Sequence, residues 1–464
     1  MTNTAPPPST SARARDSAVG QFKHKRSLTD IGLALVTPLV GQDFLDRYHL
    51  RDPFNRGLKY GVKQAFSTAG AATRQFKKIQ DVGKSPTRLR PSGADYFDLT
   101  PDDDQKMIVA TVDEFAEEIL RPAAHDADEA ATYPPDLIAK AAELGITAIN
   151  IPEDFDGIAE QRTTVTNALV AEALAYGDMG LALPILAPGG VASALTHWGS
   201  ADQQATYLKE FAGDNVPQAC VAIAEPHALF DPTALKTTAV RTPSGYRLDG
   251  VKSLVPAAAD AELFIVAAQL NGKPALFIVE ADTPGLSVKA DPSMGIRAAA
   301  LGQVELDKVS VPLSARLGEE DGSDADYAQN YSEAIALSRL GWAALAVGTS
   351  HAVLDYVIPY IKEREAFGEP IARRQAVAFM CANIAIELDG LRLITWRGAS
   401  RAERGLPFAR EAALAKRLGT DKGMQIGLDG VQLLGGHGYT KEHPVERWYR
   451  DLRVIGVAEG VVVL

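Results

Sequence analysis

Apolar residues recur at helical spacing toward both ends of this chain and at strand spacing in its middle. Ile108, Val112, Phe115 and Ile119 make one stripe, and three aspartates at 102–104 suit the positive end of a helix dipole. A helix is therefore expected with Thr100 as N-cap and Pro101 at its first position. Helical patterning continues to about residue 213, with alanine- and leucine-rich cores such as 170–175. Near Val216 the period becomes two. Runs 263–268 and 275–279 flank Asn271-Gly272, a type I′ hairpin signal, and 246–255 and 304–311 read as further strands. From Tyr327 the helical period returns through Ile335, Trp342, Leu345, Val353, Val357 and Ile361. Pro359 lies inside that pattern and is expected to kink or break the helix, because it lacks an N–H and its ring clashes one turn back. A last stripe, Leu428, Val431 and Leu434, stops at Gly435-Gly436. The expectation is an α+β chain with helical residues 96–215, a β domain at 216–326 and helical residues 327–464.

Charge changes the picture at one end. Residues 1–95 carry 16 Lys+Arg against 7 Asp+Glu, whereas the 464-residue chain has a net charge of −12. The acidic body argues against nucleic-acid binding as the main role. Residues 1–20, rich in Pro, Ser and Thr, are expected to be disordered. Lys23, Lys25 and Arg26 precede an apolar run at 31–40, but Pro38 interrupts it and no cleavage pattern comes after it. The run is far short of the roughly 20 residues a membrane span needs. Stretches with basic faces at 43–80 leave two readings open: peripheral contact with an anionic membrane, or an arm lying on the chain's own body. Two cysteines give no disulfide framework, which suits the cytoplasm. Eight histidines form no H-x-x-x-H pair, so no metal site is expected.

The chemistry gathers near the end of the chain. Gln432, Gly435, Gly436, Gly438 and Tyr439, then Arg450, Asp451, Arg453, Glu459 and Gly460, spell Q-x-x-G-G-x-G-[FY] and R-D-x-[KR] ending in E-G. Arg364, Phe367 and Gly368 spell R-x-x-F-G, with Gln375 eleven residues after the arginine. Together these resemble the acyl-CoA dehydrogenase family over roughly residues 96–464. The resemblance implies the family's fold: a helical domain, a β domain and a four-helix bundle, assembled as a homodimer or tetramer. It implies FAD as cofactor, an acyl-CoA as substrate and an electron-transfer flavoprotein as electron acceptor. It also implies Glu459 as the base that takes the α-proton, with Arg339 beside it. The base some members carry on the preceding long helix would fall at Ser338, which closes that alternative. Arg364 is implied at the pyrophosphate, with Phe367 and Gln375 near the cofactor and across a subunit boundary from the Gly435-Gly436 turn and Gln432.

At the flavin ring the chain departs from the family. The family's T-E-P-x-A-G-S-D reads here Ala224-Glu225-Pro226-His227-Ala228-Leu229-Phe230-Asp231, and its W-x-T reads Leu254-Val255-Pro256. Ala224 and Pro256 thus stand at cofactor positions without the hydroxyls, and Leu229 and Phe230 are bulky where small residues admit ligands. Two further readings arise: a catalytically weak or silent subunit that supports a partner or a membrane location, and a different flavin chemistry such as an oxidase.

Overall fold

A computed structural model describes residues 100–159, 163–213, 215–319 and 322–464; the readings made of residues 1–95 lie outside the described residues. The first helix, α1 (Asp103–Phe115), starts two residues later than the sequence suggests. Its N-cap is Asp102, not Thr100. The Asp102 carboxylate accepts from the Gln105 N–H at 2.8 Å and the Gln105 side chain accepts from the Asp102 N–H. This reciprocal box satisfies two backbone donors at once. A π turn at Ala116–Leu120 carries the run into α2 (Arg121–Ala130). Then come α3 (Leu137–Glu143), α4 (Thr164–Gly177), α5 (Met179–Trp198) and α6 (Ala201–Ala212). α4 and α5 are apolar on all sides and form the centre of the helical part.

The β part comes next: β1 (Ala219–Ala222), β2 (Thr238–Thr242), β3 (Gly245–Val255), β4 (Leu263–Leu270), β5 (Lys273–Glu280), β6 (Leu286–Ala290) and β7 (Gly302–Pro312). β4 and β5 form the expected hairpin, with Asn271 at φ 52° and Gly272 at φ 78°, the positive values a type I′ turn needs. β4 has β5 on one edge and, on the other, parallel β1 and then the end of β2. From β2 the sheet continues antiparallel through β3, β7 and β6. The β3–β7 ladder slips register between Lys252 and Val255, with Leu254 at φ 54°. The irregularity falls at the triplet where the family resemblance breaks down, and bulges commonly re-aim side chains beside active sites.

The long helix α7 (Asp324–Glu363) then runs through the core, packed on α4. Pro359 does not break it. Both Pro359 and Asp355, whose carbonyl the proline leaves without its helical donor, are exposed, so water can take that donor's place. A small hairpin of β8 (Glu365–Ala366) and β9 (Glu369–Pro370) leads to α8 (Gln375–Glu403), α9 (Ala409–Leu418), a second π turn at Gly419–Gly423, and α10 (Met424–Leu433). α7, α8 and the α9–α10 run pack side by side, and α11 (Val445–Leu452) lies against α10.

α11 is locked to the rest by buried charge. Arg447 donates through Nε to Asp178 Oδ2 at 3.0 Å, and Asp178 also caps α5 by accepting from the Leu181 N–H. Asp451 accepts from the Ile296 N–H of the β domain. Arg450 makes a two-pronged pair with Asp128 of α2 at 2.7 and 2.9 Å and donates to the Met294 carbonyl. Thus the R-D pair of the sequence motif is structural. It holds α11 to the helical and β parts, and with it the loop that carries the glycine turn.

Candidate active site

The residues singled out from the sequence fall in two separate places. One is the end of the chain. After α11 a short 3₁₀ turn, Arg453–Gly456, brings Glu459-Gly460 back against the sheet, where Gly460 makes an antiparallel bridge to Ala222 of β1. The Gly460 carbonyl accepts from Ser338 Oγ at 2.6 Å and from Trp342 Nε1 at 3.0 Å, both on α7. Ser338, the position of the alternative base, is thereby committed to holding the backbone beside Glu459. Residues 461–464 continue into the core, and each is buried.

The Glu459 side chain is 9% exposed and faces two cations. Arg339 donates to Oε1 through Nε at 3.1 Å and Nη2 at 3.0 Å, a charge-assisted fork. Lys416 Nζ stands 3.8 Å from Oε1 and bonds the Ala458 carbonyl. Burial pulls the Lys416 ammonium down to about 8, and Glu459 opposes that shift. The sequence reading missed Lys416. A signal was present, since Ala412, Lys416 and Gly419 share one helical face on which a lone lysine interrupts small residues.

Ala224 and Pro256, which the resemblance sets at the flavin ring, lie in the β part near the strand that bridges to Gly460. Ala224 is 3% exposed, and its carbonyl accepts from the Ser253 N–H at 2.9 Å. The Pro256 carbonyl accepts from the Cys220 thiol. Below them Lys252, fully buried, reaches Glu225 Oε1 at 2.9 Å and the Ile223 carbonyl at 3.2 Å. Burial alone would raise Glu225, but Lys252 and the N–H groups of Lys236 and Thr237 hold it at about 2. This buried pair was not read from the sequence. Leu229 is not packed into the protein. It is 98% exposed at φ 55°, while Phe230 packs edge-on to His227.

The second place is a cavity of about 820 Å³ at the far end of α7, lined by Arg364, Phe367, Arg374, Gln432, Gly435 and Gly436 among others. Arg364 caps α7. Phe367 and Gly368 form the two-residue turn between β8 and β9, both at positive φ, and the Phe367 ring is 94% exposed. A non-glycine residue rarely adopts that conformation. A Cβ at Gly435 or Gly436 would meet no protein atom within 4 Å, so bare backbone faces the cavity. Gln375, exposed, begins α8 next to Arg374. The resemblance set Phe367 across a subunit boundary from the glycine turn; in the structure one chain supplies both. The ends of α7 and α10 lie together, tied by the Tyr360 hydroxyl donating to the Leu434 carbonyl at 3.3 Å. Guanidinium, polar amide, aromatic ring and bare backbone fit the phosphates and flat base of a dinucleotide.

The order of helical part, β part and helical bundle, with a buried carboxylate near the end of the chain and a cavity of about 820 Å³, is the one expected from the sequence motifs. Family models agree. The acyl-CoA dehydrogenase N-terminal, middle and C-terminal domains match residues 102–214, 220–309 and 329–461. The chain is 30% identical over 365 residues to an acyl-CoA dehydrogenase of Bacillus subtilis, covering 77% of this chain and 94% of that one. It is 31% identical over 367 residues to the mitochondrial short-chain specific enzyme of Bos taurus, covering 76% and 86%. Its fold superposes on butyryl-CoA dehydrogenase from Megasphaera elsdenii with a TM-score of 0.71 at 28% identity, covering 79% and 97%. The chain belongs to the acyl-CoA dehydrogenase family, FAD-dependent oxidoreductases that act on the CH–CH group of an acyl-CoA.

Proposed function

We propose that this chain dehydrogenates an acyl-CoA thioester between Cα and Cβ, with Glu459 taking the α-proton, and passes the electrons to an electron-transfer flavoprotein in the cytoplasm. The observation that carries this reading is the Glu459 carboxylate, buried at the junction of β1, α7 and α9 and held in one orientation by Arg339 and Lys416. A thioester α-proton is weakly acidic, so its removal needs a base fixed in position. FAD, when bound, supplies the hydride acceptor. Ala224 and Pro256 stand where its ring would lie, and Arg364, Phe367, Gln375, Gln432, Gly435 and Gly436 would hold its distal half.

The two halves in one chain serve different cofactor molecules under this proposal. Arg339 and Arg364 lie on and at the end of the same helix, about 37 Å apart at roughly 1.5 Å per residue. That is farther than one dinucleotide spans. A homodimer, alone or paired into a tetramer, would bring the cavity of one copy to the carboxylate of another. α8 carries an apolar stripe for such a partner: Phe379, Ile386 and Leu393 recur every seventh residue and are 62%, 67% and 46% exposed.

A second reading, a catalytically silent member, has its own support. The Ala224 and Pro256 carbonyls are occupied within the protein, and proline has no N–H to offer a ring. Anaerobic titration of the FAD-loaded protein with straight-chain acyl-CoAs from butyryl-CoA upward separates the two. Dehydrogenation predicts loss of the flavin's visible absorbance on mixing. Retained flavin that no acyl-CoA in the series bleaches establishes the silent reading. Independently, Arg364→Ala is expected to weaken FAD binding roughly 10- to 150-fold, the equivalent of losing a charged hydrogen bond worth about 1.5–3 kcal/mol. Equal FAD occupancy in wild type and Arg364→Ala would remove the arginine from the cofactor site.

A further inference from the structure

The loop between the glycine turn and α11 brings together three side chains that take no part in the proposed proton transfer, although the first of them, His437, also lines the cofactor cavity. His437, Glu442 and His443 each offer a ligand atom, and the three atoms lie within 4.8 Å of one another. His437 Nδ1 stands 3.8 Å from Glu442 Oε2, and the two imidazole rings meet edge to face with centroids 5.6 Å apart. No spacing signal announces the cluster, since the histidines are six positions apart in a loop and not one helical turn apart.

His443 is held as a metal ligand is held. Its Nδ1 lies 2.6 Å from the Tyr356 hydroxyl. With Nδ1–H donating to that oxygen, Nε2 keeps its lone pair for a metal, the tautomer that hydrogen-bond partners impose on metal-bound histidines. Tyr356 and Tyr360, one turn apart on α7, each set their ring edge-to-face with the imidazole, with centroids 5.9 and 5.6 Å away. His437 and Glu442 are more exposed, which leaves an open side for an ion and for a water as fourth ligand.

We propose that His437, Glu442 and His443 form a binding site for a borderline divalent ion of the Zn²⁺ class. Two imidazole nitrogens and one carboxylate match the donors of three-ligand zinc sites. Calcium and magnesium, which want six or more oxygens, are poorly served by this set. At Zn–ligand distances of about 2.0–2.1 Å, tetrahedral donors sit about 3.4 Å apart. The cluster must therefore close by up to about 1.4 Å from its 4.8 Å spread, a movement within reach of the exposed His437 and Glu442 side chains. His437 directly follows Gly436, so the ion would tie the cofactor-cavity turn to the start of α11. The site stands whether or not the chain dehydrogenates an acyl-CoA.

The test is calorimetric titration of tag-free, FAD-loaded full-length protein with ZnCl₂. One saturable Zn²⁺ per chain is expected, with affinity falling at least about tenfold in His437→Ala and in His443→Ala. Tyr356→Phe keeps all three ligands but loses the partner of Nδ1, and is expected to bind about 10–100-fold more weakly. His197→Ala, at the end of α5 far from its Asp178 contact with α11, should bind as wild type does. Circular dichroism confirms that each variant is folded. Absence of saturable Zn²⁺ binding by the wild type, or equal affinity in the folded His443→Ala and wild-type proteins, overturns the proposal.

Discussion

Glu459→Gln is expected to keep its FAD and to lose reduction of the flavin by acyl-CoA by about three orders of magnitude, inside the roughly 10²–10⁴-fold that a positioned general base contributes. The substitution keeps the side chain's shape and removes only the atom able to accept a proton. It also leaves Arg339 and Lys416 without their shared counter-charge in a largely closed setting. FAD content must therefore be measured alongside the rate, by absorbance of the purified variant. A variant that holds FAD and is bleached by substrate at nearly the wild-type rate would show that Glu459 is not the base.

The largest effect on stability is expected at Arg447. Asp178 and Asp451 are each 1% exposed, and Arg447 donates to the first of them and lies near the second. Burial raises both carboxyls, and burial together with Asp178 carries Asp451 up to about 8. Arg447→Met removes the cation and leaves two buried carboxyls facing each other, a loss of about 3–5 kcal/mol for a broken buried pair. The pH dependence has a definite sign. A carboxyl whose folded pKa lies above its unfolded value stabilises the fold while protonated, and that contribution is lost as pH rises through the folded value. For Asp451 the window runs from about 4 to about 8. Urea unfolding of Arg447→Met should therefore show a greater deficit at pH 8 than at pH 5.5. A destabilisation below about 1 kcal/mol at both pH values would mean that these carboxyls are accommodated without the arginine.

What the sequence made legible was what short stretches of chain decide for themselves. Asn271-Gly272 announced its hairpin because both positions must take positive φ, a local demand that needs no neighbour. The glycine stop at Gly435 and the change from helical to alternating period near Val216 were readable for the same reason. Contacts between distant segments were not. Arg339 meets Glu459 across 120 positions and Arg447 meets Asp178 across 269, and no periodicity carries that information. Lys252 was invisible as a partner because a lysine's burial depends on what the fold lays over it, and the small-residue face around Lys416 hinted at burial without naming its partner. Thr100 misled through general preference, because a better capping box lay two residues on; of the two outcomes expected at Pro359, a kink or a break, the helix did not break.

α7 carries a consequence for how the length of this chain can change over time. Arg339 and the cap residue Arg364 are fixed relative to each other by uninterrupted helix, so that segment works as a ruler in both distance and angle. Each residue adds about 1.5 Å and rotates the remainder of the helix by about 100°. One residue gained or lost between the two arginines would swing the Arg364 end, with Tyr356 and Tyr360, away from the glycine turn, however well the helix itself re-formed. Surface loops absorb such changes at little cost. Insertions and deletions are thus admissible around this helix and excluded from roughly its last seven turns, where a single codon would take the cofactor cavity apart.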